Sequence, residues 1–235
     1  MTAPTLQAPV LAIDTALAAC AVAARARDGG LTVDEAIIGV GHAEHLIPQI
    51  DAVLGQAGLA PADLGRVVAV VGPGSFTGIR AGLAAARGLG LALGIPVVGV
   101  TTLEALAAEA RDLAPGRAVV AVLDARRDEV YAQAFTADGA PASPPALLTR
   151  AAAAKLAAGH DAVLIGSGAA LVAEHLPDAK IAGPQPQAAI TTILAIGAAR
   201  AVPDRPPGPL YIRGADAKVP QNAAIARRPT EEARP

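Results

Sequence analysis

With a single cysteine, no tryptophan, two phenylalanines, two tyrosines and a formal net charge of −2 over 235 residues, the chain is short of several things at once. Cys20 has no partner for an intramolecular disulfide. Aromatic residues make up 2% of the chain and the charge is close to neutral, so it offers neither a base-stacking platform nor the electrostatic footprint of an RNA-binding surface. Any role on nucleic acid then passes through a partner. The early apolar stretch from Val10 to Ala24 is broken by Asp14 and is too short to cross a bilayer, so no membrane association is expected. The opening MTAPTLQAP lacks the basic flank of a secretory signal, which makes the cytoplasm the expected compartment.

What the chain has in quantity is apolar bulk. At 53% hydrophobic residues it can bury a substantial core, as one large domain or as two lobes of roughly 100 residues each. The informative stretch is Val67 to Val100. Val67–Val71 reads as a buried strand ending at Gly72-Pro73-Gly74, and Ser75 or Thr77 caps a helix running to Leu93. Gly94-Ile95-Pro96 stops that helix before a strand at Val97–Val100. Glycine inside a helix costs about 1 kcal/mol relative to alanine, so Gly78, Gly82 and Ala86, four residues apart, form a small-residue stripe with a purpose. Either the stripe packs on the protein's own sheet or it lets a partner helix come close. On the second reading a leucine at Gly82 abolishes pairing and leaves the fold intact.

Around this stretch the spacing predicts strands at Val10–Ile13, Cys20–Ala26 and Leu31–Val40, with a hairpin at Asp28-Gly29-Gly30. A helix with Leu46, Ile50, Val53 and Leu54 on one face follows, ended by Gly58 and Pro61, and another runs from Leu103 to about Arg111. A break at Ala114-Pro115-Gly116 divides the chain into lobes at 9–113 and 117–213, and the Pro-bearing tail 214–235 is expected to be disordered. The second lobe repeats the first. Val120–Asp124 repeats Val10–Asp14 at an offset of 110 residues, Val130–Phe135 repeats the following strand, and Val163–Gly168 repeats Val70–Gly74.

A duplicated unit whose first strand ends in Asp resembles the layout of the two-lobed actin-like ATPases, an α/β fold with a ribonuclease H-like duplication. That resemblance implies nucleotide phosphates between the lobes, held by two Asp-containing turns and a later glycine pair. Here those positions are Asp14, Asp124, Gly166 and Gly168. Neither Asp turn has the glycine that admits a phosphate to the backbone, so the site is expected to be vestigial, with both aspartates serving as turn residues and ATP or ADP bound only weakly or at a subunit interface.

Gly72-Pro73-Gly74-Ser75-Phe76-Thr77-Gly78-Ile79-Arg80 resembles the signature of the TsaB (YeaZ) family. Ile13-Asp14-Thr15, His42-Ala43-Glu44 with Leu46 and Pro48, Pro96 to Leu106, Asp124-Ala125-Arg126 with Glu129-Val130-Tyr131, and Pro209-Leu210-Tyr211-Ile212-Arg213 also fit. The resemblance implies a non-catalytic dimerisation subunit of bacterial tRNA threonylcarbamoyladenosine synthesis. Its implied partners are the catalytic paralogue TsaD and the ATPase TsaE, with tRNA reached only through the complex. It also implies that the helices near His45–Ala57 and Thr77–Leu93 build the interface, through His42, Glu44, Leu46, Ile50, Gly78, Arg80, Gly82 and Ala86. A homodimer through the same helices is the physically cheap rival. Arg80 and Arg87 read equally well as partner contacts or ordinary surface charges.

The enzymatic alternative is a glycoprotease-like metallohydrolase or a sugar-kinase-like phosphotransferase. No His-Glu-x-x-His pattern exists, His42 and His45 are three apart where TsaD-like proteins space their metal histidines by four, and His160 and His175 lie far along the chain. Gly-Pro-Gly-Ser-Phe-Thr-Gly is not the Gly-x-Ser-x-Gly elbow of a nucleophile, and no lysine follows the glycines as in a P-loop, so Ser75 is expected to cap a helix. Neither a catalytic residue nor a metal ligand is assigned.

Overall fold

The computed structural model describes residues 8–183 and 186–213. The tail expected from Gly214 to Pro235 lies outside the described residues, as does all but Ala8 of the leader before Pro9. The first half of the chain runs β1 (Val10–Asp14), β2 (Ala19–Arg25), β3 (Leu31–Ile37), α1 (His42–Gln56), β4 (Arg66–Gly72), α2 (Phe76–Leu93), β5 (Val97–Thr101) and α3 (Thr102–Leu113). The second runs β6 (Val119–Asp124), β7 (Glu129–Phe135), β8 (Ala146–Thr149), α4 (Arg150–Gly159), β9 (Val163–Ile165), α5 (Ala169–Ala173), β10 (Ile181–Gly183) and α6 (Ile190–Ala199).

The two sheets have one topology. Their orders are β3-β2-β1-β4-β5 and β8-β7-β6-β9-β10, each with two antiparallel pairings followed by two parallel ones. The internal duplication read from three landmarks is therefore a duplication of the whole unit, and the fold is the two-lobed actin-like one. Among the described residues no helix is long and apolar enough to cross a membrane.

Alternation along the central strands sorts side chains into three cores. On β1, Leu11 and Ile13 face an outer core with α1 and α2, whereas Val10 and Ala12 face inward. On β6, Val120 and Val122 face an outer core with α4 and α5, whereas Val119, Ala121 and Leu123 face inward. Both faces are buried, which is why these strands are unbroken apolar runs. The inner core is shared: α3 lies mainly against the second sheet and α6 against the first, so each half lends its last helix to the other. The break expected at 114–116 falls between α3 and β6, where the chain passes from one sheet to the next.

Local chemistry accounts for the element ends. The Ser75 hydroxyl accepts the Gly78 amide at 3.3 Å as the cap of α2, and Gly94, at φ 67°, closes that helix in the left-handed conformation glycine adopts freely. Thr101 and Glu104 form a reciprocal capping box on α3. Two boundaries differ from expectation. β3 ends at Ile37, short of Val40, because the Ile38 and Gly39 amides both donate to the Ala18 carbonyl and turn the chain away from the sheet. α1 begins at His42, one turn early, and carries Pro48 within it.

After α6 the chain runs back across the molecule. The Leu210 amide donates to the Val71 carbonyl at 2.8 Å, the Tyr211 hydroxyl meets Arg80 in the first lobe, and Arg213 pairs with Glu129 of the second lobe at 2.7 Å.

The glycine stripe on α2 faces inward. A methyl group on Gly78 would strike the Thr15 carbonyl oxygen, one on Gly82 would strike the Thr15 hydroxyl, and Ala86 is buried in the outer core beside Leu11 and Ile13. The stripe lets α2 lie directly on the end of β1, where the Thr15 hydroxyl donates to the Gly78 carbonyl at 2.7 Å. This corrects the partner-helix reading and the expectation that a leucine at Gly82 spares the fold. Position within the helix then decides the sign of a glycine-to-alanine change. Gly88→Ala, with open space around its Cβ, should raise stability by up to about 1 kcal/mol. Gly78→Ala should lower it by about 1–3 kcal/mol despite the same propensity gain. Urea midpoints of the two variants check both signs.

Candidate functional site

Four turns meet at the carboxyl ends of the central strands: 14–18 after β1, 72–75 after β4, 124–128 after β6 and 166–168 after β9. Between them lies a cleft of about 510 Å³ lined among others by Ala16, Ser75, Asp124, Arg126, Tyr131 and Ser167. The expected vestigial residues thus converge here, but on different terms. Asp124 is exposed on the cleft wall, whereas Asp14 is only 3% exposed beneath it.

Each aspartate closes its own turn, as expected of turn residues. Asp14 Oδ1 accepts the Ala16 amide at 2.8 Å, and Asp124 Oδ1 accepts the Arg126 amide at the same distance. Three further backbone donors at the cleft are engaged too. The Ser75 amide donates to the Ala16 carbonyl, the Asp124 amide to the Ser167 hydroxyl and the Gly168 amide to the Val122 carbonyl. Gly166 and Gly168 answer to packing: a Cβ on the first would strike the Val122 carbonyl, and one on the second would crowd the Val122 side chain. The β6–β7 turn, which has no glycine, is nonetheless left-handed at Arg126, Arg127 and Asp128, with φ near 60°. Two backbone bonds, Ala125 to Glu129 and Glu129 to Arg126, hold it there.

Burial pushes the Asp14 carboxyl up to about 6, against the Ala16 hydrogen bond that lowers it, with the negative charge of Glu35 adding to the rise. The buried Cys20 thiol is pushed up to about 11, first by burial and then by the charges of Asp14 and Asp34, which leaves it little thiolate character. Neither side-chain nitrogen contact of His42 and His45 points to a shared ligand. His42 Nε2 donates to the Leu17 carbonyl and His45 Nδ1 to the Gly41 carbonyl, each at 3.0 Å. Among the described residues no group of three or more His, Cys, Asp or Glu side chains could hold a metal ion.

The eight residues expected at a partner interface divide by helix face. His42, Leu46 and Ile50 point from α1 into the protein's own core, and Gly78, Gly82 and Ala86 do the same from α2, so these six are corrected to internal packing. Glu44 and Arg80 are exposed. Helical spacing groups residues onto a face without saying which way the face looks. The outward faces carry residues the sequence reading passed over: Ile47 on α1 and Leu91 on α2, 58% and 87% exposed.

Phe76 and Tyr211 were missed as well. Their rings lie 5.3 Å apart at the surface beside the cleft, and the Arg80 guanidinium sits 3.7 Å over Phe76 with its Nε–H donating to the Tyr211 hydroxyl at 2.7 Å. Scarcity was the available signal, since these are half of the chain's four aromatic residues.

A family model described as TsaD, tRNA N6-adenosine threonylcarbamoyltransferase, matches residues 35–158. An uncharacterized protein of Mycobacterium tuberculosis is 37% identical over 211 residues, which cover 89% of this chain and 93% of that protein. The Escherichia coli tRNA threonylcarbamoyladenosine biosynthesis protein TsaB is 37% identical over 122 residues, 52% of each. The solved structure of YeaZ from Pseudomonas aeruginosa superposes with a TM-score of 0.68 at 31% identity, covering 82% of this chain and 91% of that one.

The buried carboxyl gives the cleft a pH signature. Because the folded state holds the Asp14 proton more tightly than the unfolded chain, which releases it near 3.8, this group's contribution favours folding at low pH and is lost as pH rises through about 6. Asp14→Asn keeps an acceptor for the Ala16 amide and removes the titration. Its stability advantage over the wild type should be small at pH 4 and reach about 2–3 kcal/mol at pH 7.5, measured by urea unfolding at the two pH values. An advantage that does not change with pH would show that Asp14 titrates normally.

Proposed function

The chain belongs to the TsaB (YeaZ) family, and on that premise we propose that it is a non-catalytic subunit of bacterial tRNA threonylcarbamoyladenosine synthesis. It pairs with a TsaD-like catalytic paralogue through the outward faces of α1 and α2. A TsaE-like ATPase joins the assembly, tRNA is reached through the complex, and the work is done in the cytoplasm. The observation that carries this reading is the outward exposure of Ile47 and Leu91 on the two helices that family members use for pairing. An apolar side chain that is almost fully exposed gains its burial on association.

The engaged chemistry of the candidate reactive groups supports the non-catalytic role. Ser75 is committed as a helix cap, and both histidines of α1 contact backbone carbonyls. The cleft keeps no tight nucleotide site on this reading, because the Ala16, Ser75, Asp124, Arg126 and Gly168 amides already have partners within the chain. The same outward face can pair with a second copy of the chain, so homodimer and heterodimer compete for one surface.

Light scattering on the purified chain, alone and mixed with the TsaD-like protein of the same organism, tests the pairing, and threonylcarbamoyl transfer to tRNA tests its consequence. A heterodimer at micromolar concentration with activity only in the mixture supports the reading; metal- or ATP-dependent turnover by this chain alone overturns it. Leu91→Asp, which places a charge at a fully solvated position, should leave the urea midpoint within about 0.5 kcal/mol of wild type and weaken association by at least about 30-fold.

A further inference from the structure

Arg80 is held unusually well for an exposed arginine. Its guanidinium lies 3.7 Å over the Phe76 ring and 5.7 Å from the Tyr211 ring, and its Nε is fixed by the Tyr211 hydroxyl. The contact with Tyr211 joins residues 131 positions apart in sequence, and Tyr211 is itself anchored on either side, by Leu210 on Val71 and Arg213 on Glu129. Among the described residues Arg80 has no acidic partner, and its two terminal nitrogens make no hydrogen bond. A free arginine side chain loses rotamer entropy when it is immobilised, and here the chain has already met that cost before any ligand arrives.

We infer that Arg80, collared by Phe76 and Tyr211, is a preformed docking point for a carboxylate side chain of the partner protein, received in the two-pronged geometry that a guanidinium offers. The inference rests on the pairing reading above and names its chemistry. Charge complementarity selects an acidic group, because α2 carries Arg80 and Arg87 and no acidic residue in its 18 positions. The half-exposed rings select a protein: an arginine ringed by aromatic side chains has the composition of an interface hot spot, in which the apolar collar excludes water from the ion pair. A polyanion such as RNA is disfavoured by the chain's net charge of −2 and by Glu44 and Asp51, exposed on α1.

Titration of the full chain against the TsaD-like protein, with the wild type and three variants, tests it. Arg80→Ala should weaken association by about 30-fold or more. Arg80→Lys, which keeps the charge and loses the fork, should recover little of that loss. Tyr211→Phe, which keeps the ring and frees the Nε, should cost about three- to tenfold. Melting temperatures close to wild type show that the losses lie in docking. Arg80→Ala binding within twofold of wild type, while Leu91→Asp still weakens pairing as expected, overturns the docking point and leaves the proposed function standing. Arg80→Lys binding like wild type overturns the two-pronged geometry. Unchanged pairing with reduced retention of tRNA by the assembled complex transfers Arg80 to a phosphate and overturns the carboxylate assignment. A wild-type chain that does not associate at all removes both readings.

Discussion

Two backbones meet without side chains between them where the turn after β1 presses against the start of α2, and the arrangement of the site follows from that contact. The Thr15 and Ala16 carbonyls occupy the space that Cβ atoms on Gly78 and Gly74 would need. The Thr15 hydroxyl reaches the Gly78 carbonyl, and the Ser75 amide reaches the Ala16 carbonyl at 2.7 Å. Thr102 at the head of α3 donates to the Pro73 carbonyl of the same turn at 2.8 Å. One small knot therefore sets the height and rotation of α2. Rotation determines that Arg80 and Leu91 face solvent while Ala86 is buried, and height brings Ser75 to the wall of the cleft.

The two halves have kept one topology and parted in electrostatics. Asp14 and Asp124 occupy equivalent strand ends and make the same hydrogen bond to the amide two residues on. One is sealed from solvent beneath Ala16 and carries a carboxyl raised to about 6, and the other stands open on the cleft wall. With the Ser75, Asp124 and Gly168 amides bonded within the chain as well, the two equivalent turns present different groups to the cleft.

Much of this was legible in the sequence. Strand ends marked by Asp14 and Asp124, the cap at Ser75, the stop at Gly94 and the repeat at an offset of 110 residues all depend on local chemistry, and they stand where expected. The TsaB (YeaZ) resemblance, carried by the block from Gly72 to Arg80, also held. The second-half helices did not stand out, because in an alanine-rich stretch such as Arg150–Gly159 the buried and exposed positions are often the same residue. The direction of the glycine stripe was not legible either. Spacing by four shows that Gly78, Gly82 and Ala86 share a face, but whether that face meets β1 or a partner is a tertiary fact. The Arg80 cluster needs Tyr211, which only folding brings near.

The exchange of α3 and α6 between the sheets bears on where such a chain came from. A single repeat, with its last helix lying on the opposite sheet, has an inner sheet face it cannot cover by itself, so it is complete only as a swapped pair of identical units. Fusing two copies end to end turns that pairing into a tethered one, whose strength no longer depends on how many molecules the cell holds. In this chain each half finds that companion within the same polypeptide. The outer helices α1 and α2 take no part in that exchange, so their solvent faces are free of the constraint that ties the two halves together.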